Sequence, residues 1–276
     1  MPRNDYNTLP TERINENTLH IDKMSTEDMM RAINDEDAKV AAAVRAEIPS
    51  IAATVDAAAA SFEKGGRLLY FGAGTSGRLG VVDASECPPT YGVSPDLVRG
   101  VIAGGEGAMF RAVEGAEDSE EMGARAVDNE GVGERDTVVA LSASGGAPFC
   151  IGVLKRAKAL GAVTVAVACN EKGAMLPFAD IKIVPKTGPE VIQGSTRMKA
   201  GTAQKLVLNM ISTGAMVKTG KVCGNLMINV APTNEKLYER AVGIIMKISG
   251  CDRKTAEDGL DRCGSIRGAL DSMGIK

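Results

Sequence analysis

The sequence has no tryptophan, only one histidine and few aromatic side chains, which make up 3% of its 276 residues. It also lacks a basic excess, because 32 lysines and arginines stand against 35 aspartates and glutamates, giving a formal net charge of −3. Nucleic-acid-binding proteins need a positive surface for the phosphates and often aromatic rings for base stacking. The sequence therefore argues against nucleic acid as a partner.

Long apolar runs are also missing. No apolar stretch approaches the roughly 20 residues that a helix needs to cross a bilayer. Residues 1–6 are polar and do not form the apolar centre of a secretion signal. We therefore expect no membrane association and a location in the cytoplasm.

Metal ligands are scarce. His20 is the single histidine and lies in a polar leader, and the six cysteines contain no Cys-X-X-Cys pair. Structural zinc sites use clusters of such side chains, so we expect no bound metal. Because the cytoplasm keeps thiols reduced, we expect the cysteines to be free.

What the sequence does have is an alternation of short apolar strands, glycine loops and helical segments. The strands are predicted at residues 67–71, 97–103, 137–141, 163–168 and 181–184. This alternation predicts an α/β fold, a doubly wound parallel sheet with helices on both faces. Ligands bind such sheets beyond the carboxyl ends of the strands.

Helical segments flank the sheet region. A weakly structured leader to about Leu19 precedes a helix that starts at Ser25 and a second helix over residues 35–62, with a kink at Pro49. Strands are expected to stop after residue 195, where one helix spans 197–218 and shorter helices follow from Asn234. We predict N-terminal helices in residues 1–50, an α/β domain in 51–224 and a helical subdomain in 225–276.

The loop after the first predicted strand reads Gly72-Ala-Gly-Thr-Ser-Gly77 and opens a helix. Glycines let the backbone approach a ligand, and the free N–H groups of a helix start attract anions, so Thr75 and Ser76 are candidates for holding a phosphate. The spacing also resembles a dinucleotide fingerprint. However, no strand ending in an acid follows about 20 residues later. A sugar phosphate is therefore favoured over NAD.

Two further segments suit an anion. Leu141-Ser-Ala-Ser-Gly-Gly146 again joins a strand to a helix, although its residues suit an ordinary turn equally well. In Gly194-Ser-Thr-Arg-Met-Lys199, Ser195 or Thr196 is the predicted N-cap, which places Arg197 and Lys199 in the first helical turn. A helix start disfavours cations unless an anion is bound there. Arg78 repeats this feature after the first loop.

Acidic candidates follow the same strands. Glu86 is expected just past the helix after the first loop, in a stiff turn made by Pro88 and Pro89. Glu114, Glu117 and Asp118 are expected after the second strand. A glutamate with an ordinary pKa of about 4.3 is a poor acid at neutral pH, so for these residues taken alone solvated surface acids are the favoured interpretation.

Several long motifs occur together and in order. They are Gly72-Ala-Gly-Thr-Ser-Gly-Arg-Leu-Gly, Asp83-Ala-Ser-Glu-Cys-Pro-Pro-Thr, Ala112-Val-Glu-Gly-Ala-Glu-Asp, Gly194-Ser-Thr-Arg-Met-Lys-Ala-Gly-Thr-Ala-Gln-Lys, Gly224-Asn-Leu-Met and Thr233-Asn-Glu-Lys. Together they closely resemble the N-acetylmuramic acid 6-phosphate etherases over residues 21–246. The resemblance implies a sugar-isomerase (SIS) fold and a homodimer.

The resemblance also implies a carbon–oxygen lyase that releases D-lactate from a sugar phosphate in cell-wall recycling, without a metal or redox cofactor. It assigns Glu86 as the general acid and Glu117 as the second catalytic carboxylate, the base, with Glu114 ranked below it. Substrate contacts would come from the three anion segments, at Thr75, Ser76, Arg78, Ser142, Ser144, Gly145, Ser195, Arg197 and Lys199.

The chain departs from the family pattern in two places. Gly146-Ala-Pro148 stands where the family usually has Arg-Thr-Pro, and the region around residues 260–270 follows earlier than usual, as if a helical hairpin were missing. Two other functions remain open. Glucokinase regulatory protein resembles the 194–204 segment and binds without catalysis, and an aldose–ketose isomerase of the same fold needs no leaving-group acid.

Overall fold

A computed structural model of the protein describes residues 9–229 and 234–275. Its centre is a parallel sheet of five strands in the order β2-β1-β3-β4-β5. The strands are β1 (Leu68–Gly72), β2 (Val98–Ile102), β3 (Thr137–Leu141), β4 (Val163–Val167) and β5 (Ile181–Ile183). All five lie within one residue of the predicted positions, which confirms the predicted sheet.

Helices cover both faces of the sheet. Leu68 and Tyr70 face one hydrophobic cluster, while Leu69 and Phe71 face another, and all four side chains are fully buried. Burial on both faces explains why β1 is a continuous apolar run rather than an alternating one. The first face carries helices α2 (Val40–Arg45), α3 (Ile48–Glu63), α4 (Gly74–Tyr91) and α7 (Lys199–Lys218), and the second carries α5 (Glu120–Asn129) and α6 (Pro148–Ala159).

The N-terminal region is more ordered than predicted. Residues 9–23 contain three short 3-10 turns, Pro10–Glu12, Glu16–Thr18 and Ile21–Lys23; the first eight residues of the predicted leader lie outside the described residues. Helix α1 (Thr26–Asp37) starts as predicted, because the Ser25 hydroxyl accepts a hydrogen bond from the Asp28 N–H. The predicted second helix is two helices, α2 and α3, and Pro49 lies in the first turn of α3.

Helix α4 is longer than the sequence suggests. It continues through Pro88 and Pro89 to Tyr91, so Glu86 lies within the helix and not in a turn beyond it. Cys87 and Tyr91 are buried, and Gly92 ends the helix in the left-handed conformation. Burial of these side chains offsets the hydrogen bonds that the prolines cannot make.

Helix α7 begins later than predicted. Its N-cap is Met198, with no side-chain cap, and its first residue is Lys199, so Arg197 precedes the helix and neither Ser195 nor Thr196 is the cap. The sequence alone gave no reason to prefer this start, because the group that satisfies the helix N-terminus comes from Glu190.

Beyond α7 the chain forms one element that was not predicted. Strands β6 (Val222–Cys223) and β7 (Leu226–Met227) pair as a short antiparallel ribbon. Helices α8 (Glu235–Ser249), α9 (Arg253–Cys263) and α10 (Ile266–Ser272) then share a hydrophobic cluster of their own. Their breaks at Gly250 and Gly264 are as predicted, and Thr233, part of the predicted start of α8, lies outside the described residues.

Candidate active site

A cavity of about 310 Å³ lies where β1 and β3 end. Strands β1 and β3 are neighbours, with β2 on one side and β4 on the other, so the chain order reverses here and leaves a crevice in which α/β proteins bind ligands. The lining residues come from the loops after β1 and β3, from the loop before α5, from the N-terminal segment and from the approach to α7. They are Glu12, Ala73, Gly74, Thr75, Ser76, Glu117, Leu141, Ser142, Ala143, Ser144, Ala147 and Thr196.

The first loop brings Thr75 and Ser76 to the cavity, as predicted. Both lie in the first turn of α4, whose N-cap Ala73 offers no side-chain cap, so backbone N–H groups of this turn are available to an anion. The turn is tight, because a Cβ on Gly72 would lie 2.8 Å from the Gly77 nitrogen. Glycine is required for this close approach.

The second loop contributes Ser142 and Ser144, whose hydroxyl oxygens are 3.5 Å apart. Gly145 does not line the cavity. Its N–H donates to the Ser142 carbonyl, its φ is +72°, and a Cβ there would lie 2.7 Å from the Cα of Gly173. This geometry shapes the loop, and contact of Gly145 with substrate stays a prediction.

Glu117 lies between two adjacent cavities. It lines the 310 Å³ cavity and also a second one of about 190 Å³, and the two share Ala73, Gly74 and Glu117. The backbone carbonyl of Glu117 accepts a hydrogen bond of 2.9 Å from the Phe149 N–H, which fixes this residue to the start of α6. Glu114 lines only the second cavity.

Arg78 also lines the second cavity. Its Nε donates to the Met109 carbonyl at 2.9 Å and its Nη2 to the Ala108 carbonyl at 2.7 Å. These bonds tie α4 to the 3-10 turn Glu106–Met109, in the segment that leads to Glu117. The Nη1 group makes no hydrogen bond within the described residues, which leaves both of its N–H donors for a ligand.

Glu86 lies away from both cavities. It is exposed on α4, eleven residues after Thr75, and a helix rises 1.5 Å per residue, so the two residues are roughly 17 Å apart along the helix axis. The structure therefore does not bring Glu86 and Glu117 together within one chain.

The chain resembles known proteins over most of its length. Residues 50–158 match the family described as the glucokinase regulatory protein N-terminal SIS domain, and residues 224–265 match the C-terminal lid domain of that protein. The N-acetylmuramic acid 6-phosphate etherase of Clostridium beijerinckii is 56% identical over 254 residues, which are 92% of this chain and 84% of the relative. That of Clostridium botulinum strain Okra is 59% identical over 249 residues, 90% and 82% of the two chains. The chain belongs to the N-acetylmuramic acid 6-phosphate etherase family.

A solved structure supports the fold of this etherase family member. A phosphoheptose isomerase from Francisella tularensis superposes with a TM-score of 0.55 at 17% identity, covering 70% of this chain and 100% of the other. At 17% identity, this structural similarity is evidence for the fold alone. Together with the matched SIS domain, it confirms the predicted doubly wound fold.

The third anion segment, which carries part of the resemblance to the etherases, lies differently from the prediction. Ser195 and Arg197 do not line either cavity, and Arg197 is exposed. Lys199 is 1% exposed, and its Nζ lies 2.6 Å from Glu36 Oε2 in an internal ion pair. The anion at the start of α7 is Glu190, whose carboxylate accepts hydrogen bonds of 2.9 Å from the N–H groups of Lys199 and Ala200.

Two buried carboxyls hold this segment, and their pKa values shift in opposite directions. Burial opposes the charge on Glu36, but hydrogen bonds from Lys199 and Lys39 outweigh it and lower the pKa of this carboxyl to about 2. Burial raises the pKa of Glu190, against the hydrogen bonds from the backbone of Ala200 and Lys199.

Three residues of the site were not predicted from the sequence. Glu12 and Thr196 line the cavity, and Gln204 of α7 accepts a hydrogen bond of 3.0 Å at its Oε1 from the Ser76 hydroxyl. Thr196 and Gln204 lie inside a motif of the etherase family, whereas Glu12 lies in a leader that carried no signal.

Residues 9–229 and 234–275 contain neither a cluster of metal ligands nor a helix suited to crossing a membrane. Across these residues no group of three His, Cys, Asp or Glu side chains is arranged to hold a metal ion. Within the same part of the chain, no helix combines the length and the apolar character needed to span a bilayer.

Proposed function

We propose that the protein cleaves the D-lactyl ether of N-acetylmuramic acid 6-phosphate, giving N-acetylglucosamine 6-phosphate and D-lactate in amino-sugar recycling. The observation that carries this proposal is the 56–59% identity to curated etherases over about nine-tenths of the chain. The cavity supports it with hydroxyl groups on two loops and a carboxylate beside them. We also propose the cytoplasm as its compartment, consistent with cysteines that are all free thiols.

The phosphate end of the substrate is proposed to lie at the start of α4. Thr75 and Ser76 offer hydroxyls and the N–H groups of the first helical turn, and Ser142 and Ser144 face them from the second loop. A helix N-terminus and hydroxyl donors suit a phosphate without a cationic side chain. None of the described lining residues of this cavity is a lysine or an arginine.

The chemistry proposed for the sugar is elimination followed by addition of water. In the open-chain aldehyde, the carbonyl acidifies the proton on the acetamido-bearing carbon, and a carboxylate removes that proton. The carbon–oxygen bond of the ether then breaks, and the lactate oxygen takes up a proton as it leaves. Water adds to the resulting double bond. Glu117 is proposed as the base, a role typically worth ~10²–10⁴-fold in rate.

Glu86 is proposed as the acid that protonates the departing lactate, and this role requires a second subunit. The phosphate and the ether oxygen of one substrate molecule are only about five single bonds apart, at roughly 1.5 Å each. That length is less than half of the roughly 17 Å along α4 between Thr75 and Glu86, and Glu86 lines neither cavity of its own chain. We therefore propose a homodimer in which Glu86 of the partner subunit reaches the cavity.

Arg78 is proposed to bind the carboxylate of the lactyl group. Two of its guanidinium nitrogens donate to backbone carbonyls, and the residue lines a cavity that adjoins the phosphate site at Glu117. Arginine pairs well with carboxylates because its planar fork presents several donors. Ser195, Arg197 and Lys199 receive no substrate contact in this proposal, since Lys199 is paired with Glu36.

Release of D-lactate from N-acetylmuramic acid 6-phosphate tests the proposed reaction. In deuterated water, the sugar product should also carry deuterium on the acetamido-bearing carbon, because the base removes that proton. The matches to glucokinase regulatory protein domains favour a second candidate, a sugar-phosphate-binding regulator. Tight binding without lactate release would support that candidate, and isomerisation of a sugar phosphate would support an isomerase.

A further inference from the structure

The N-terminal segment, residues 9–23, forms one wall of the site. It is attached to the loop that precedes α7 by hydrogen bonds in both directions. The Thr18 hydroxyl donates to the Val191 carbonyl at 2.8 Å, and Gln193 Nε2 donates to the Glu12 carbonyl at 2.8 Å. The Thr18 bond is buried, whereas the Gln193 bond, which holds the backbone at Glu12, is exposed.

Glu12 is the residue of this segment that reaches the cavity. It lines the 310 Å³ cavity together with Glu117, and its Oε2 lies 2.9 Å from the point where a Cβ on Gly194 would stand. The side chain is half-buried, and its carboxylate accepts no hydrogen bond and forms no ion pair within residues 9–229 and 234–275. A carboxylate held at a cavity wall without partners there can accept hydrogen bonds from a ligand.

The negative charge of Glu12 limits which groups of a ligand its carboxylate can contact. Two like charges repel more strongly in a partly desolvated cavity than in water. The Glu12 carboxylate would therefore weaken binding if it lay beside the phosphate or the lactyl carboxylate of the substrate. Among the remaining polar groups of the substrate, the hydroxyls and the acetamido N–H are hydrogen-bond donors. These groups suit a carboxylate acceptor.

We propose that Glu12 is a substrate-binding residue whose carboxylate accepts hydrogen bonds from the neutral donors of the sugar, its hydroxyl or acetamido N–H groups. This inference rests on the proposed function, because it takes the amino-sugar phosphate as the ligand. Glu12 transfers no proton in this role. Its removal therefore weakens binding of substrate and leaves the chemical step largely intact.

Steady-state release of D-lactate by Glu12→Gln tests the proposal. The amide keeps the size of the side chain and one acceptor oxygen but loses the charge, so KM should rise roughly 10-fold while kcat changes little. Glu16→Gln is the matched control. It removes the same charge from an exposed position of the same segment that does not line the cavity, and its KM should stay at the wild-type value.

Two inhibitors identify the group that Glu12 contacts. The product N-acetylglucosamine 6-phosphate keeps the sugar donors, so its inhibition constant should rise by the same factor in Glu12→Gln, whereas that of inorganic phosphate should not change. An unchanged KM, or tighter binding of phosphate, would overturn the proposal, because the carboxylate would then face solvent or the phosphate. If the wild-type protein releases no lactate, the proposed function fails; if it does and Glu12→Gln behaves like Glu16→Gln, only this inference fails.

Discussion

Lys199 Nζ lies 2.6 Å from Glu36 Oε2, and only 1% and 4% of the two side chains are exposed. This ion pair joins α7 to α1 across 163 positions of the sequence. Because Lys199 is the first residue of α7, the pair also fixes the helix start beside the cavity.

Lys199→Met should destabilise the protein. The change leaves the buried Glu36 carboxylate with fewer partners, and breaking a buried pair on one side costs about 3–5 kcal/mol. Chemical denaturation monitored by circular dichroism measures this free energy of unfolding. Lys218→Met removes an exposed lysine that pairs with Asp56, and as the control it should cost less than about 1 kcal/mol. A substrate-binding role for Lys199 would instead raise KM without loss of stability.

Glu36 should make the stability depend on pH in the acid range. Its pKa is about 2 in the folded protein, below its ordinary value of 4.5, so the folded state binds this proton less readily than the unfolded state. The stabilisation is present above about pH 4.5 and is lost as the pH falls towards 2. Melting temperatures between pH 5 and 2 should fall less steeply in Glu36→Gln, although that variant starts from a lower value. Parallel curves would contradict the assignment.

Gln204 should control the hydroxyl of Ser76. In the structure Ser76 donates its proton to Gln204 Oε1, while Gln204 Nε2 is buried without a partner among the described residues. With the amide reversed, Nε2 would donate to Ser76 and free the hydroxyl proton for a phosphate oxygen. In Gln204→Glu the carboxylate can only accept a hydrogen bond from Ser76, and it adds a negative charge near the phosphate. KM should therefore rise at least roughly 10-fold.

Gln204→Met is the comparison for that variant. It removes the partner of Ser76 but leaves the hydroxyl free to rotate, so the rise in KM should be smaller than in Gln204→Glu. Thermal melting of both variants separates binding from folding. An equal KM in the wild-type protein and Gln204→Glu would show that Ser76 does not hold the phosphate.

The sheet and its glycine loops could be predicted from the sequence because their causes are local. Each strand is a short apolar run bounded by glycine or polar residues, and parallel order follows from the helices between the strands. Since such strands end at one edge, the prediction that Thr75 and Ser142 face the same space needed no tertiary information, and the cavity contains both.

What could not be predicted depends on contacts between distant residues. Two prolines indicated the end of α4, yet burial of Tyr91 beyond them extends the helix and moves Glu86 onto an exposed face. Lys199 has an anion partner, as its position at a helix start suggested, but the partner is Glu36 and not a substrate. Glu12 reaches the cavity because its backbone carbonyl is bonded to Gln193, which lies 181 positions further along the chain.

A mixture of two inactive variants should test whether the site spans two subunits. Glu86→Gln and Glu117→Gln should each lose most of their turnover while still binding substrate. If Glu117 of one chain works with Glu86 of the other, a mixed dimer contains one intact site and one that lacks both carboxylates. Random assembly from equal amounts of the two chains should therefore restore about a quarter of the wild-type activity in a symmetric dimer.

The result separates the shared site from a site within one chain. If both carboxylates acted within the same chain, every site in a mixed dimer would lack one of them and no activity would return. Co-purification of an untagged Glu117→Gln chain with an affinity-tagged Glu86→Gln chain is the control for exchange of subunits. A chain that is monomeric by light scattering and still releases lactate would exclude Glu86 as the acid, since Glu86 lines neither cavity of its own chain.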